Sequence, residues 1–215
     1  LDTSHVDSLA FEPVHTTIFL ANLEVLMRIL VTGANGHIGC NLVRELIARK
    51  HDVVGLVRKG SNHEGLEGLA LKKVYGDIRD SAAVLEAAKG CEIIIHLAAV
   101  YAWGGTLEDI VEPAVQGIEN VLRAANEVDC TRVIHTSSIV AVGFSDSPTI
   151  RGPEDWNDDS NEPYIIAKTK SEKLAWQRAE DLDVPLIVIN PSGILGRHDY
   201  KQTPSNGFAL DFVHG

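Results

Sequence analysis

Two side chains able to share a proton stand one helical turn apart in Tyr164-Ile165-Ile166-Ala167-Lys168. On a helix that spacing sets both on one face. A phenol ordinarily titrates at about 10 and is a poor proton donor at neutral pH, but a neighbouring ammonium stabilises the phenolate and brings the group toward the working range. Tyr164 can then exchange a proton with a carbonyl or an alcohol. A hydroxyl that could steady the same oxygen ends an apolar run in Thr136-Ser137-Ser138, with Ser138 the candidate and Ser137 its competitor. Either could instead satisfy backbone groups at a strand end. Upstream, Thr32-Gly33-Ala34-Asn35-Gly36-His37-Ile38-Gly39 spaces three glycines where a strand turns into a helix. Gly33 permits the tight turn, Gly36 lets backbone approach a pyrophosphate, and Gly39 allows close contact of helix and sheet. The free N–H groups of the helix start, at His37 and Ile38, face the phosphates.

This turn predicts a dinucleotide cofactor, and the next strand predicts which one. An acidic residue about 20 positions beyond the last glycine takes the ribose 2′-hydroxyl of NAD, whereas an Arg nearby accommodates the 2′-phosphate of NADP. Here the second apolar run ends in Val57-Arg58-Lys59, with no carboxylate at that place. The planar donor fork of Arg58 suits a phosphate, so NADP(H) is favoured over NAD(H). The competing reading makes Arg58 and Lys59 ordinary solvated charges.

The elements that must hold these groups alternate short apolar β-branched runs with helical patterns, as βαβ units of a parallel sheet do. Strands are predicted at Arg28–Thr32, Asp52–Val57, Leu71–Tyr75, Glu92–Leu97, Arg132–Thr136 and Val184–Asn190. Most are nearly continuous apolar runs, which predicts burial on both faces. Ile38, Leu42, Val43, Leu46 and Ile47 share one helical face, as do Ile110, Val111, Ala114, Val115, Ile118, Val121, Leu122 and Ala125. A further helix is predicted from about Glu162 to Ala179, and Gly90 terminates one before the fourth strand. The segment Gly143–Asn161, rich in Ser, Asp, Pro and Gly, reads as an active-site loop.

The 215 residues suffice for one sizeable core, and the net charge of −11 leaves no broad basic field for nucleic acid. Cys40, Cys91 and Cys130 lack metal-ligand spacing and make no complete disulfide set, which points to a reducing cytoplasm. The apolar run at Ile18–Leu23 is too short to span a bilayer and is preceded by Asp2, Asp7 and Glu12 rather than by positive charge. No membrane partner is expected. The only methionine, Met27, directly precedes the first strand, so residues 1–26 are expected to be an upstream extension and 27–215 the nucleotide-binding domain. His37, His96 and His135 have no second ligand at metal spacing, so no metal is assigned and a backbone role suffices for each. Tyr101 and Trp103 could line a substrate pocket or pack at the surface.

With the glycine turn, Ser138 and the Tyr164/Lys168 pair together, the chain from Met27 to about Gly196 resembles the extended short-chain dehydrogenases/reductases. The resemblance implies a Rossmann-type doubly wound parallel sheet in three layers. It further implies that Gly33, Gly36 and Gly39 hold the nucleotide and that Asp77, beside Ile78, contacts adenine. Leu97, Ala98 and Ala99 would line the adenine ribose, and Ser138, Tyr164 and Lys168 would be catalytic, with Lys168 also on the nicotinamide ribose. Pro191, in Asn190-Pro191-Ser192-Gly193, would lie against the nicotinamide. Within the family, Glu112–Gly117 and Val57-Arg58 resemble the dihydroflavonol reductase and cinnamoyl-CoA reductase branch. The stretches around His198-Asp199-Tyr200 and Thr203-Pro204-Ser205 are also similar to a bacterial sugar epimerase-like branch. Ala114 stands where many relatives have Asn, and Val142 replaces a Tyr common after the catalytic Ser.

The function this implies is NADPH-dependent reduction of a small carbonyl, or the reverse oxidation of an alcohol. A nucleotide-sugar epimerase or dehydratase is the alternative, and a non-catalytic NADP(H) sensor the alternative of another class. A homodimer is compatible with the family. Relatives carry a further substrate-binding region of about a hundred residues, so that region is expected to be largely missing from a chain that stops at Gly215.

Overall fold

A computed structural model of the chain describes residues 26–100, 105–145, 147–201 and 203–214. Six strands form one wholly parallel sheet: β1 (Arg28–Thr32), β2 (Asp52–Val57), β3 (Lys72–Tyr75), β4 (Ile93–His96), β5 (Arg132–Thr136) and β6 (Leu186–Ile189), in the spatial order β3-β2-β1-β4-β5-β6. The chain winds outward from β1 to one edge and then from β4 to the other. The order therefore reverses between β1 and β4, the place where open α/β sheets bind ligands beyond their carboxyl ends.

Alternation along the strands explains the three layers. Ile29 and Val31 of β1 face one way and pack with Val43 and Leu46 of α1 (His37–Ala48). Leu30 faces the other way, into a core made with Val84 of α2 (Ser81–Ala88), Ile118, Val121 and Leu122 of α3 (Leu107–Glu127), and Ala175 of α5 (Pro163–Asp181). The expected burial on both faces holds for the central strands and fails at the edges, where Tyr75 of β3 is 55% exposed and Ile189 of β6 47%. An edge strand has one neighbour, and half its surroundings are gone.

Local chemistry sets the helix boundaries. Asp80 caps α2 by accepting from the N–H groups of Ala82 (3.0 Å) and Ala83 (3.2 Å), a contribution of about 1 kcal/mol. Thr106 caps α3 through Asp109 N–H, and Glu108 and Asp109 in its first turn complement the helix dipole. Pro113 inside α3 costs about 3 kcal/mol in lost hydrogen bonding and crowding. The helix continues because eight of its residues are buried against the sheet and α5. The predicted helix at Glu162–Ala179 is α5, opened by Pro163 at its first position. The described part of the Gly143–Asn161 loop is irregular. The helix expected to end at Gly90 is α2, whose last residue is Ala88, and two α-helices among the described residues have no counterpart in the sequence prediction: the short α4 (Ile139–Val142) and α6 (Pro204–His214). The first 25 residues, Tyr101 and Trp103 lie outside the described residues.

Candidate active site

The β1–α1 turn is shaped by the three glycines. Gly33 has φ +68°, and a Cβ on it would sit 2.9 Å from the backbone N of Ala98. A Cβ on Gly39 would overlap Gly33 O and come within 2.7 Å of the Ala34 backbone. The turn is closed by Gly36 N–H donating to Gly33 O at 2.9 Å. No side chain caps α1 at Gly36, and no acidic residue occupies its first turn. The N–H groups at His37 and Ile38 thus form an uncapped, positively polarised helix end, and the residues fit a pyrophosphate placed over it. The His37 ring turns elsewhere, 3.1 Å from Arg197 O.

Around this turn stand the other predicted nucleotide contacts. Arg58 is exposed at the end of β2, and its carbonyl accepts from the Ser61 hydroxyl at 2.7 Å. Asn35, with no role predicted from sequence, donates to Ser61 Oγ (3.0 Å) and Asn62 O (2.8 Å), tying the glycine turn to the Arg58 segment. Asp77 follows β3 and is gripped by Arg79 through two bonds of 2.9 and 3.0 Å. That guanidinium holds its carboxyl down at about 2. Ile78 packs on α3 opposite Gly117. After β4, Leu97 and Ala98 each donate their N–H to Thr32 Oγ1 at 3.2 Å, with Ala99 exposed beyond them.

The residues predicted to be catalytic lie at the other side of the switch point. Ser138 leaves β5 as the cap of α4, its hydroxyl accepting from Val140 N–H at 3.4 Å. Ser137 Oγ is buried with no partner among the described residues. The Ser138 carbonyl accepts from Asn190 Nδ2 (3.1 Å), and Pro191 O accepts from Ile139 N–H (3.0 Å), which draws Asn190-Pro191 alongside Ser138. Tyr164 and Lys168 lie on the inward face of α5, both buried. Lys168 Nζ donates to Thr136 O at 3.0 Å, so α5 is pinned to β5 two residues before Ser138. Burial pushes the Lys168 ammonium down to about 8, against the opposing pull of Glu172.

Other groups here were not legible as functional. Glu172 is buried and accepts from Asn190 Nδ2 at 2.7 Å. Contrary to the backbone role expected of them, His96 and His135 point their rings into the buried face, stacked at 5.2 Å. Their inward direction follows from strand register, which local sequence does not carry. Ala114, at the position of many relatives' Asn, packs with the apolar cluster of Ile110, Val111 and Ala167. A cleft of about 560 Å³ is lined by residues of α5, the end of β6 and the Gly143–Asn161 loop, Trp156, Glu172, Trp176, Val188 and Asn190 among them.

The description of the NAD dependent epimerase/dehydratase family matches residues 29–214. The chain belongs to that family. Within it the chain is an extended short-chain dehydrogenase/reductase of the dihydroflavonol reductase and cinnamoyl-CoA reductase branch. It is 36% identical over 88% of its length to sterol demethylase protein B of Methylococcus capsulatus, covering 58% of that protein. It is 34% identical over 86% of its length to cinnamoyl-CoA reductase 1 of Petunia hybrida (59% covered) and 31% over 85% to a putative dihydroflavonol 4-reductase of Synechocystis (54% covered). This family member thus spans a little over half the length of the curated relatives it matches. Among solved structures, gox2253 superposes with a TM-score of 0.78 at 29% identity, over 85% of this chain and 56% of that one. The yeast methylglyoxal/isovaleraldehyde reductase Gre2 complexed with NADPH superposes at 0.68 and 27% identity, over 79% and 59%. No helix among the described residues is long and apolar enough to cross a membrane.

Proposed function

We propose that the protein containing this chain is an NADPH-dependent reductase of a small carbonyl compound. The observation that carries the reading is the placement of Tyr164 and Lys168 on the buried face of α5, with Lys168 fixed to Thr136 O at the same sheet edge as the glycine turn. Bound at that edge, the nicotinamide cofactor supplies the hydride. Everything else falls to the chain. Gly33, Gly36 and Gly39 admit the pyrophosphate to the N–H groups of α1. Arg58 meets a 2′-phosphate, Asp77 and Ile78 flank the adenine, and Leu97, Ala98 and Ala99 line its ribose. Lys168 donates to the nicotinamide ribose and stabilises the phenolate of Tyr164, while Pro191 backs the nicotinamide. Tyr164 gives its hydroxyl proton to the substrate oxygen as that oxygen gains charge, and Ser138 hydrogen-bonds the same oxygen.

NADPH consumption with a panel of aldehydes and ketones tests the reading. Turnover of a sugar nucleotide with no net cofactor change would instead favour epimerisation. Binding without any turnover would favour a sensor. The three cysteines, buried and unpaired, suit a reducing cytoplasm.

Preference for NADPH is a separate expectation with its own variant. Arg58→Asp places a carboxylate where the 2′-phosphate would sit and offers an acceptor to a 2′-hydroxyl. The ratio of NADPH to NADH affinities is expected to fall by about 100-fold, the loss of one charge-assisted contact plus repulsion. Calorimetry with each coenzyme reads it, and an unchanged ratio removes Arg58 from cofactor choice.

A further inference from the structure

The sheet register lays two rows of side chains on the face covered by α3 and α5. One row is Leu30, Ile94, Val133 and Leu186, neighbours across β1, β4, β5 and β6 and all apolar. Two residues further along each strand, the same face carries Thr32, His96, His135 and Val188. Three polar side chains thus stand in a row between the apolar core and the carboxyl edge, with Thr32, His96 and His135 all buried.

Thr32 Oγ1 accepts the N–H groups of Leu97 and Ala98, so its own proton goes to His96 Nδ1, 2.7 Å away. That bond fixes His96 as the uncharged tautomer with its proton on Nε2. The His135 ring stacks on it with planes 19° apart, and neither His135 nitrogen has a hydrogen-bond partner among the described residues. A buried polar group left so costs about 1–3 kcal/mol. Packing alone would favour an apolar residue there, as Val188 is at the paired position of β6.

We propose that His135 is a positioning residue for Lys168, the stacked His96–His135 pair forming an uncharged polar floor that holds the ammonium at the end of β5, against the Thr136 carbonyl and one turn from Tyr164. The proposal rests on the role given to Lys168 above. The titratable groups coupled to this ammonium are His96 from β4, His135 from β5 and Glu172 from α5, while α3 brings apolar Ile110 and Val111 to α5. Burial and the Lys168 charge push His96 down to about 3, and burial, His96 and Lys168 push His135 well below its usual value. Both rings are therefore neutral while Lys168 titrates, and their dipoles soften the burial of its charge. A charged floor would expel the ammonium. An apolar one would neutralise it.

In protein labelled with ¹³C at lysine Cε, the Lys168 resonance, identified by its loss in Lys168→Arg, should titrate at about 8 in the parent without coenzyme. In His135→Phe that midpoint is expected to fall by about one pH unit, a tenfold loss of proton affinity. His135→Gln keeps a polar group and should restore it to within about 0.3 unit. If the Phe variant does not fold, His135→Leu carries the same expectation. A Lys168 midpoint unmoved in a folded apolar variant overturns the proposal. Because this titration needs neither coenzyme nor substrate, a parent that titrates as expected yet reduces no carbonyl counts against the assigned reaction and not against the floor.

Discussion

Replacing Tyr164 by Phe is expected to lower kcat/KM for NADPH-linked carbonyl reduction by about 1,000-fold, within the range that a positioned proton donor contributes. The variant deletes one oxygen and keeps the ring that fills a site only 8% exposed, so the fold and the coenzyme cradle should survive. Water is a poor substitute, because the position is buried and no other side chain in the described site is a hydroxyl paired with an ammonium one helical turn away. Loss of rate with NADPH affinity retained separates proton donation from structural support. Measured by initial rates and by coenzyme titration on the same preparation, equal rates would remove Tyr164 from the mechanism.

The second large effect is expected at Gly39. An alanine Cβ there would overlap Gly33 O and press within 2.7 Å of the Ala34 carbonyl, and both obstacles are backbone rather than flexible side chain. α1 can accept it only by moving off the turn that aims its first N–H groups. Gly39→Ala should therefore destabilise the protein by about 3 kcal/mol, the upper end for an overpacked site, and abolish detectable coenzyme binding. Gly152→Ala is the control, since nothing lies within 4 Å of its Cβ position and its φ is ordinary. It should change stability by no more than about 0.5 kcal/mol. Thermal melts with and without NADPH distinguish the two, and a Gly39→Ala protein that melts and binds like the parent would contradict the proposed cradle.

The sequence carried most of the sheet because burial on two faces writes itself as uninterrupted β-branched runs. Arg28–Thr32, Asp52–Val57 and Arg132–Thr136 emerge with the predicted bounds. β3, β4 and β6 are shorter than predicted, since the flanking apolar residues Leu71, Leu97, Val184 and Pro185 continue the run in sequence but lie outside the strands. α2 is marked in the sequence by its end at Gly90 and not by its face, because Ser-Ala-Ala-Val-Leu-Glu-Ala-Ala is short and built of small residues with little apolar contrast. The glycine turn and the Tyr164/Lys168 spacing were legible because their chemistry depends on neighbours close in the chain. The His96–His135 stack and the Asn190–Glu172 bond join residues 39 and 18 positions apart or reach across parallel strands, and depend on register and helix rotation. Neither leaves a local pattern. The same holds for Asn35, whose bonds to Ser61 and Asn62 exist only once β1 and β2 are paired.

The central claim is that one cleft at the carboxyl edge of the sheet joins the glycine turn to the buried Lys168 through a single dinucleotide. Isothermal titration of NADPH into the protein, parent beside Lys168→Ala, tests it most directly. Saturable heat at one coenzyme per chain is expected, with affinity weakened about tenfold or more in the variant, a loss of about 1.4 kcal/mol or more. No saturable heat from NADPH or NADH, or an affinity indifferent to Lys168, would contradict it.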